Sequence, residues 1–160
     1  MEMQYMSISF FRICMILISW ASLLFLPKSV VRRFLPVTFF SASILLIETL
    51  LSLIFKWWKV KGGLNALVAD ALGFIFGPFL AINIWIFHLT HKKFLVYTLV
   101  NLLMDLLFAF PLNAFFQKVG FYKLKKFTSI HLFLISYALS FFNYWFQKYI
   151  ISGKNIETRT

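Results

Sequence analysis

Residues 64–113 decide the fold that the sequence predicts. They read LNALVADALGFIFGPFLAINIWIFHLTHKKFLVYTLVNLLMDLLFAFPLN, two long apolar segments separated by a short basic hinge, with one aspartate inside each. An acid in a segment long enough to cross a bilayer is energetically expensive, so it usually faces a bundle interior and marks a candidate functional site. The stretch therefore predicts membrane-spanning helices and makes Asp70 and Asp105 the first candidates.

The composition of the whole chain favours a lipid environment. Of its 160 residues, 61% are hydrophobic and 21% are aromatic, and the mean hydropathy is +0.84. A soluble domain of this size buries only part of its surface, which is too little to hide so many apolar side chains. The sequence therefore predicts an all-α, polytopic helical bundle whose partner is the lipid bilayer.

The net charge of +11 does not point to nucleic acid. A nucleic-acid-binding domain concentrates its lysines and arginines on one extended face, whereas here they occur in short runs between apolar segments. Such juxtamembrane runs are typical of contacts with anionic lipid head groups. The runs are Lys28, Arg32 and Arg33; Lys56, Lys59 and Lys61; Lys92 and Lys93; and Lys118, Lys123, Lys125 and Lys126. All 16 Lys and Arg residues of the chain, inside and outside these runs, divide evenly between the two predicted ends of the bundle, so the positive-inside rule favours neither orientation.

Five transmembrane helices are predicted in a single domain over residues 1–151, with a polar tail over 152–160. A helix rises about 1.5 Å per residue, so it needs roughly 20 residues to cross the ~30 Å hydrocarbon core. The predicted spans are about 8–26, 35–55, 64–89, 94–116 and 127–151. In the first we expect Arg12 to snorkel outward, and a cleaved signal peptide is the alternative there. In the second we expect Pro36 in the first helical turn.

The third span is longer than the hydrocarbon core requires, and its glycines and proline indicate where it departs from a straight helix. Gly73 and Gly77 form a GxxxG pair that allows another helix to approach closely. Pro78 removes a backbone donor beside them. The pattern predicts a packing helix kinked near Gly77 and Pro78, and the alternative is a discontinuous helix that lines a substrate path.

Small and polar residues align at helical spacing in four of the five spans. The stripes are Ser41, Glu48 and Ser52; Ala66, Asp70, Gly73, Gly77 and Ala81; Thr98, Asn101, Asp105 and Ala109; and Ser136, Ser140, Asn143 and Gln147. Residues three, four or seven apart share one helix face. We therefore expect the stripes to meet inside the bundle while Phe, Leu and Ile side chains face lipid.

The acids within these stripes allow two hypotheses. Glu48 and Asp105 lie near the middle of their predicted spans, and no Lys or Arg is expected at comparable depth. The carboxyl groups are then either neutral groups that hydrogen-bond between helices, or members of a proton or cation route. The residues that would line such a route are Glu48, Asp70, Asn83, Asn101 and Asp105.

No sequence motif indicates catalysis or a cofactor. HExxH, GxSxG, CxxC, Walker and GxGxxG patterns are all absent from the sequence, and each of them carries a defined chemistry. His88 and His91 lack a third ligand at helical spacing, so we expect no metal site. The expected function is a non-enzymatic accessory protein or a bundle that forms a homo-oligomer or joins a larger membrane complex. The alternative is a proton- or cation-coupled small-solute transporter, or a subunit of one.

Three stretches carry a family resemblance: FGPFLAINIWIFHLT, LLMDLLFAFPLN and YKLKK, which begin at Phe76, Leu102 and Tyr122. Together they resemble a group of small, uncharacterised multi-pass membrane proteins from endospore-forming bacteria. The resemblance implies a multi-pass protein of the bacterial cytoplasmic membrane. It implies no activity and assigns no site residues.

Overall fold

Over the part of the chain that the structure describes, the protein is an all-α bundle of five helices, as predicted. The computed structural model describes residues 2–60 and 63–151, with side chains from residue 10 onward. The helices are α1 (Glu2–Leu23), α2 (Lys28–Phe55), α3 (Gly63–Thr90), α4 (Phe94–Val119) and α5 (129–151), and two short strands are β1 (Trp58–Val60) and β2 (Tyr122–Leu124). The predicted tail over 152–160 lies outside the described residues, as do Lys61 and Gly62 between the second and third predicted spans.

Three of the helices are long and apolar enough to cross a membrane: α2, α3 and α4. The 28-residue helices α2 and α3 extend about 42 Å at 1.5 Å per residue, which exceeds the ~30 Å hydrocarbon core. The apolar part of α1, Phe10–Leu23, is shorter. The chain therefore has the helical composition of a membrane protein.

The predicted kink in α3 is confirmed. A π-turn occupies Ile75–Phe79, and Gly77 leaves the helical region with φ −102° and ψ −109°. Because Pro78 has no N–H group, the regular hydrogen-bond ladder cannot continue through this turn. A second π-turn, Phe108–Leu112, surrounds Pro111, so α4 continues across that proline instead of ending before it.

The start of α2 differs from the prediction. The helix begins at Lys28 with Pro27 as its N-cap, and Pro36 lies inside it, so the expectation of Pro36 in the first turn is wrong. The N–H groups of Val30 and Val31 already donate to the Pro27 carbonyl oxygen at 2.9 and 3.3 Å. A proline inside a helix removes only one such bond, and the rest of α2 continues past it.

The bundle packs its main core toward the end where α2 begins and α3 ends. α2 lies along the Leu80–Thr90 part of α3, α1 crosses the kinked part of α3, and α4 packs against α5. The core side chains are Leu23, Leu26, Phe34, Val37, Leu80, Ala81, Ile84, Phe87 and Tyr97. The rings of Phe34 and Phe87 stack at 5.5 Å between centroids, which joins α2 to α3 at the centre of this core.

The opposite end of the bundle is closed by a two-stranded antiparallel ribbon. β1 pairs with β2, with Trp58 opposite Leu124 and Val60 opposite Tyr122. The Trp57 carbonyl oxygen accepts a further bond from the Lys125 N–H at 2.9 Å. The ribbon joins the loop between α2 and α3 to the loop between α4 and α5, where the sequence predicted loops alone.

Candidate functional site

The polar stripes are largely buried, but the hydrogen bonds that they form stay mostly within one helix. Ser41, Ser52, Ser140 and Asn143 are nearly inaccessible, whereas Ser136 is only half-buried. Three side-chain donors bond to carbonyl oxygens of their own helices: Ser52 to Thr49, Ser140 to Tyr137, and Asn101 to Tyr97. Burial of the stripes therefore does not make them one continuous polar network.

The clearest polar contact within the bundle joins Arg12 of α1 to Asp70 of α3. The Arg12 Nη2 atom lies 2.6 Å from Asp70 Oδ1, and Arg12 Nε donates to the same oxygen at 2.6 Å. The side chains are 22% and 15% exposed. The expectation that Arg12 snorkels outward is wrong, because α1 packs on α3 with Arg12 opposite the acid, and a carboxylate in apolar surroundings is stabilised by a hydrogen-bonded cation.

The same helix pair meets again at the kink. A Cβ atom added at Gly77 would lie 3.2 Å from Ile16 Cγ1 and 3.4 Å from Ile16 Cα, whereas one added at Gly73 would lie 3.8 Å from Ile16 Cδ1. The Trp20 indole N–H donates to the Phe76 carbonyl oxygen at 2.9 Å. The absence of a side chain at Gly77 thus allows α1 to approach, and Trp20 satisfies a carbonyl group within the π-turn of α3.

The other two acids of the predicted route have no such partner among the described residues. Glu48 and Asp105 are half-buried, and neither makes a hydrogen bond or an ion pair with another described side chain. Asp105 Oδ2 and Asn83 Oδ1 are buried without a hydrogen-bond partner within the described ranges. Over residues 10–60 and 63–151, whose side chains the structure describes, no three His, Cys, Asp or Glu side chains lie close enough to hold a metal ion. The acids of the three spans therefore do not form one cluster of ligands.

Asn113 is a polar hub that the sequence analysis did not identify. It is 1% exposed, and its Nδ2 donates to Ala109 O at 3.1 Å and to Ser129 Oγ at 2.9 Å. Its Oδ1 accepts from the Tyr122 hydroxyl at 2.7 Å and from Gln117 Nε2 at 3.2 Å. Gln117 in turn accepts the N–H of Leu124 at 3.1 Å. One asparagine thus connects α4, β2 and the start of α5.

A signal for Asn113 was present in the sequence. The four-residue spacing from Asp105 through Ala109 reaches Asn113 on the next turn, so the hub continues the polar stripe of α4. Its partner Tyr122 lies in β2, outside the long helices, and burial raises the pKa of this phenol. The hydroxyl therefore stays protonated, as it must to donate to Asn113.

Among the described residues, the smaller number of polar contacts that cross from one element to another hold neighbouring elements together. The Arg12–Asp70 pair and the Trp20 bond join α1 to α3, and the Tyr97 hydroxyl donates to Ser140 O at 2.9 Å, joining α4 to α5. Such contacts stabilise helix packing in apolar surroundings. Comparisons with protein-family models, with curated proteins and with solved structures find no match for this chain.

Proposed function

We propose that this chain is a non-enzymatic integral membrane protein that assembles, through the outer face of its bundle, with a second copy of itself or with a larger membrane complex. The observation that carries the proposal is the poor coverage of α4. Only 11% of its most apolar 18-residue window is buried, compared with 28% for α2 and 33% for α3. A membrane-length helix packed on so small a part of its surface offers an extended face to a partner.

The contact made by Asp70 also supports a packing function. Asp70 is already engaged by Arg12 at 2.6 Å, so its carboxylate stabilises the contact between α1 and α3. Glu48 and Asp105 share no hydrogen bond or ion pair with Asp70 or with each other among the described contacts. A route that carries a proton or cation needs acceptors that follow one another along a path.

The assembly is tested by disulfide cross-linking in native membranes. Cys14 is the single cysteine, so Cys14→Ser gives a cysteine-free background. Leu99 and Leu103 lie one turn apart on α4, with 59% and 61% exposure, and Leu50 on α2 is a matched control with 60% exposure. We expect Leu99→Cys and Leu103→Cys to form intermolecular cross-links and Leu50→Cys to form few.

Each result of this experiment bears on the proposal. A product of twice the monomer mass indicates a homo-oligomer, and a heavier product specific to the two α4 positions indicates a different partner, which mass spectrometry of the product would identify. Equal cross-linking at all three positions would indicate random collision in the bilayer. That result, or none at any position, contradicts assembly through α4.

The transporter hypothesis remains a prediction with a test of its own. Purified Glu48→Gln and Asp105→Asn variants would be reconstituted into proteoliposomes and assayed for uptake driven by a pH gradient. If the acids form a route, each variant folds and loses uptake that the wild-type protein shows. If the chain acts by assembly, both variants accumulate like the wild type, and each of them still cross-links when combined with Cys14→Ser/Leu99→Cys.

A further inference from the structure

The basic residues at one end of the bundle surround a cavity. Its volume is about 290 Å³, and it is lined by Arg33, Phe87, His91, Lys92, Tyr144, Gln147 and Lys148. It lies where α2 begins and where α3 and α5 end, opposite the β1–β2 ribbon. The cavity is thus a pocket open to the surface and lined by parts of three helices that are far apart in the sequence.

The Arg and Lys side chains that line this cavity make it positively charged. Arg33 comes from α2, Lys92 from the turn after α3, and Lys148 from α5, and none of the lining residues is acidic. Within the described ranges the Arg12–Asp70 pair is the single ion pair, so these three cations have no carboxylate partner there. Gathering like charges around one cavity is unfavourable unless an anion or solvent compensates them.

The cavity also offers a hydroxyl donor, and it contains an unsatisfied ring nitrogen, which accepts a hydrogen bond when the imidazole is neutral. His91 Nδ1 donates to the Phe87 carbonyl oxygen at 2.9 Å, and its Nε2 is buried without a partner among the described residues. The Tyr144 hydroxyl makes only a 3.5 Å contact with the His91 carbonyl oxygen, which is at the limit of a hydrogen bond. That hydroxyl can therefore turn to a ligand at small energetic cost.

The cations themselves remain available for a ligand. The Arg33 guanidinium lies 5.5 Å from the centroid of the Phe34 ring, and the Lys148 ammonium lies 5.2 Å from that of Tyr149. Cation–π contacts of this kind hold a charged group in place without using its N–H donors. The side chains are thus positioned while their hydrogen-bonding capacity is kept.

We propose that this cavity binds a phosphate group. Arg33 can donate two parallel hydrogen bonds to phosphate oxygens, whereas Lys92 and Lys148 supply compact positive charges. The volume of about 290 Å³ exceeds what a phosphate alone needs, given that a water molecule takes about 30 Å³, so the cavity has room for part of an organic group that carries the phosphate. The phosphate can belong to a phospholipid head group or to a soluble phosphate.

The test uses the full chain purified in a maltoside detergent, which carries no phosphate. Two probes are compared: phosphatidylglycerol, retained on the protein and counted by native mass spectrometry, and inorganic phosphate, titrated by calorimetry. The double variant Arg33→Gln/Lys92→Gln removes two lining charges. Its matched control, Arg32→Gln/Lys93→Gln, removes the two adjacent charges, which do not line the cavity.

Both double variants lower the net charge equally, so a difference between them reports the cavity alone. We expect the cavity pair to weaken binding by about tenfold or more, since the variant removes two cations that would donate charge-assisted hydrogen bonds to the phosphate. The control pair should change binding by less than about threefold, as expected of screened surface charges.

The two probes distinguish the source of the phosphate. Loss of phosphatidylglycerol alone assigns the cavity to a lipid head group, loss of inorganic phosphate alone assigns it to a soluble ligand, and loss of both shows that the phosphate group itself is recognised. Equal effects of the two double variants, or no binding of either probe by the wild type, would overturn the proposal.

A second set of variants guards against misfolding. Lys148 is exposed, so Lys148→Gln should leave the fold intact, and Lys28→Gln at the same end of the bundle is its control. Tyr144→Phe removes one donor without changing the charge. Binding weakened by Lys148→Gln and by Tyr144→Phe, but not by Lys28→Gln, supports the site. The same affinity in all three variants contradicts it.

Discussion

Arg12 and Asp70 lie 58 positions apart in the sequence and join α1 to α3 through a 2.6 Å contact between Nη2 and Oδ1. Removing one partner leaves the other charge half-buried and uncompensated. We expect Arg12→Gln and Asp70→Asn each to lower the free energy of unfolding by about 1–3 kcal/mol, less than the loss of about 3–5 kcal/mol seen for fully buried pairs.

A double-mutant cycle measures the interaction directly. In Arg12→Gln/Asp70→Asn both charges are absent, and the glutamine can donate a hydrogen bond to the asparagine oxygen. The double variant should therefore be more stable than the sum of the two single losses in the free energy of unfolding predicts. Unfolding would be followed by circular dichroism in detergent titrated with SDS, with Lys93→Gln as an exposed control. Strict additivity of the two single effects would show that the pair does not couple the helices.

Gly77 and Gly73 should respond differently to the same substitution. A methyl group at Gly77 would lie 3.2 Å from Ile16 Cγ1, and one at Gly73 would lie 3.8 Å from Ile16 Cδ1. We expect Gly77→Ala to destabilise the bundle by about 1–3 kcal/mol because α1 must move. Gly73→Ala should be neutral or stabilising by up to about 1 kcal/mol, because alanine favours helix.

The contact with Ile16 can be isolated in a second background. Ile16→Ala removes Cγ1, so Gly77→Ala should cost less stability in that background than in the wild type, as measured by the same unfolding experiment. An equal cost in both backgrounds would show that the requirement for glycine does not come from the Ile16 side chain, and would leave it to the conformation of the kink and to the α1 backbone, whose Ile16 Cα would lie 3.4 Å from the added methyl group.

Asn113 should matter more to stability than Asn101, although both lie on α4. The Asn113 side chain takes part in four hydrogen bonds that reach Ser129, Gln117 and Tyr122, whereas Asn101 donates only to its own helix. We expect Asn113→Leu to cost about 2–4 kcal/mol, because its buried partners lose their bonds, and Asn101→Leu about 1 kcal/mol or less.

Hydrogen exchange offers a local measurement of this hub. The Leu124 N–H donates to Gln117 Oε1, and Gln117 is held by Asn113. Faster exchange at Leu124 in Asn113→Leu, with unchanged exchange in the middle of α2, would place the effect in the hub. Unchanged exchange at Leu124 would contradict the proposed link.

The pH dependence of stability at high pH should show the ionisation of the Tyr122 hydroxyl. Burial raises the pKa of this hydroxyl above its ordinary value of about 10, so the folded state holds its proton more tightly than the unfolded state does. The contribution of this proton to the free energy of unfolding is complete below about pH 10. It is lost as the pH rises toward the folded-state pKa of Tyr122. The free energy of unfolding should therefore fall above about pH 10 less steeply in Tyr122→Phe than in the wild type.

Tyr149→Phe is the control for that titration. Tyr149 is 60% exposed, so its removal should leave the slope of the wild-type curve unchanged. Other titrating groups, including the lysines, affect all three proteins alike. Equal slopes in the wild type and in Tyr122→Phe would show that the phenol titrates alike in the folded and unfolded states.

The features that the sequence predicted well are those set by local chemistry. Hydropathy indicated the helices, and Pro78 located the kink of α3 because a missing N–H group acts within one turn. The prediction for Pro36 was wrong because it also rested on local chemistry alone. Pro36 resembles a residue of a first helical turn, yet the helix had already begun at Lys28.

The features that it missed depend on how elements are placed in space. A hydropathy scale counts Arg12 only as an unfavourable residue in an apolar segment. It carries no information on the rotation of α1 about its axis, which turns Arg12 toward Asp70. The cavity at Arg33, Lys92 and Lys148 arises because three helix ends meet, while the sequence shows only three separate basic runs. Strands of three residues, such as β1 and β2, have no periodicity to detect.

The pairing of β1 with β2 has a consequence for how the chain is made. On the ribosome, β1 emerges long before β2, and α3 and α4 are synthesised between them. The N–H and C=O groups of Trp58–Val60 must therefore remain hydrated, or be held by an insertion factor, until the second strand arrives. Closure of that end of the bundle is thus a late step of biogenesis, and a chain truncated after α4 would lack it.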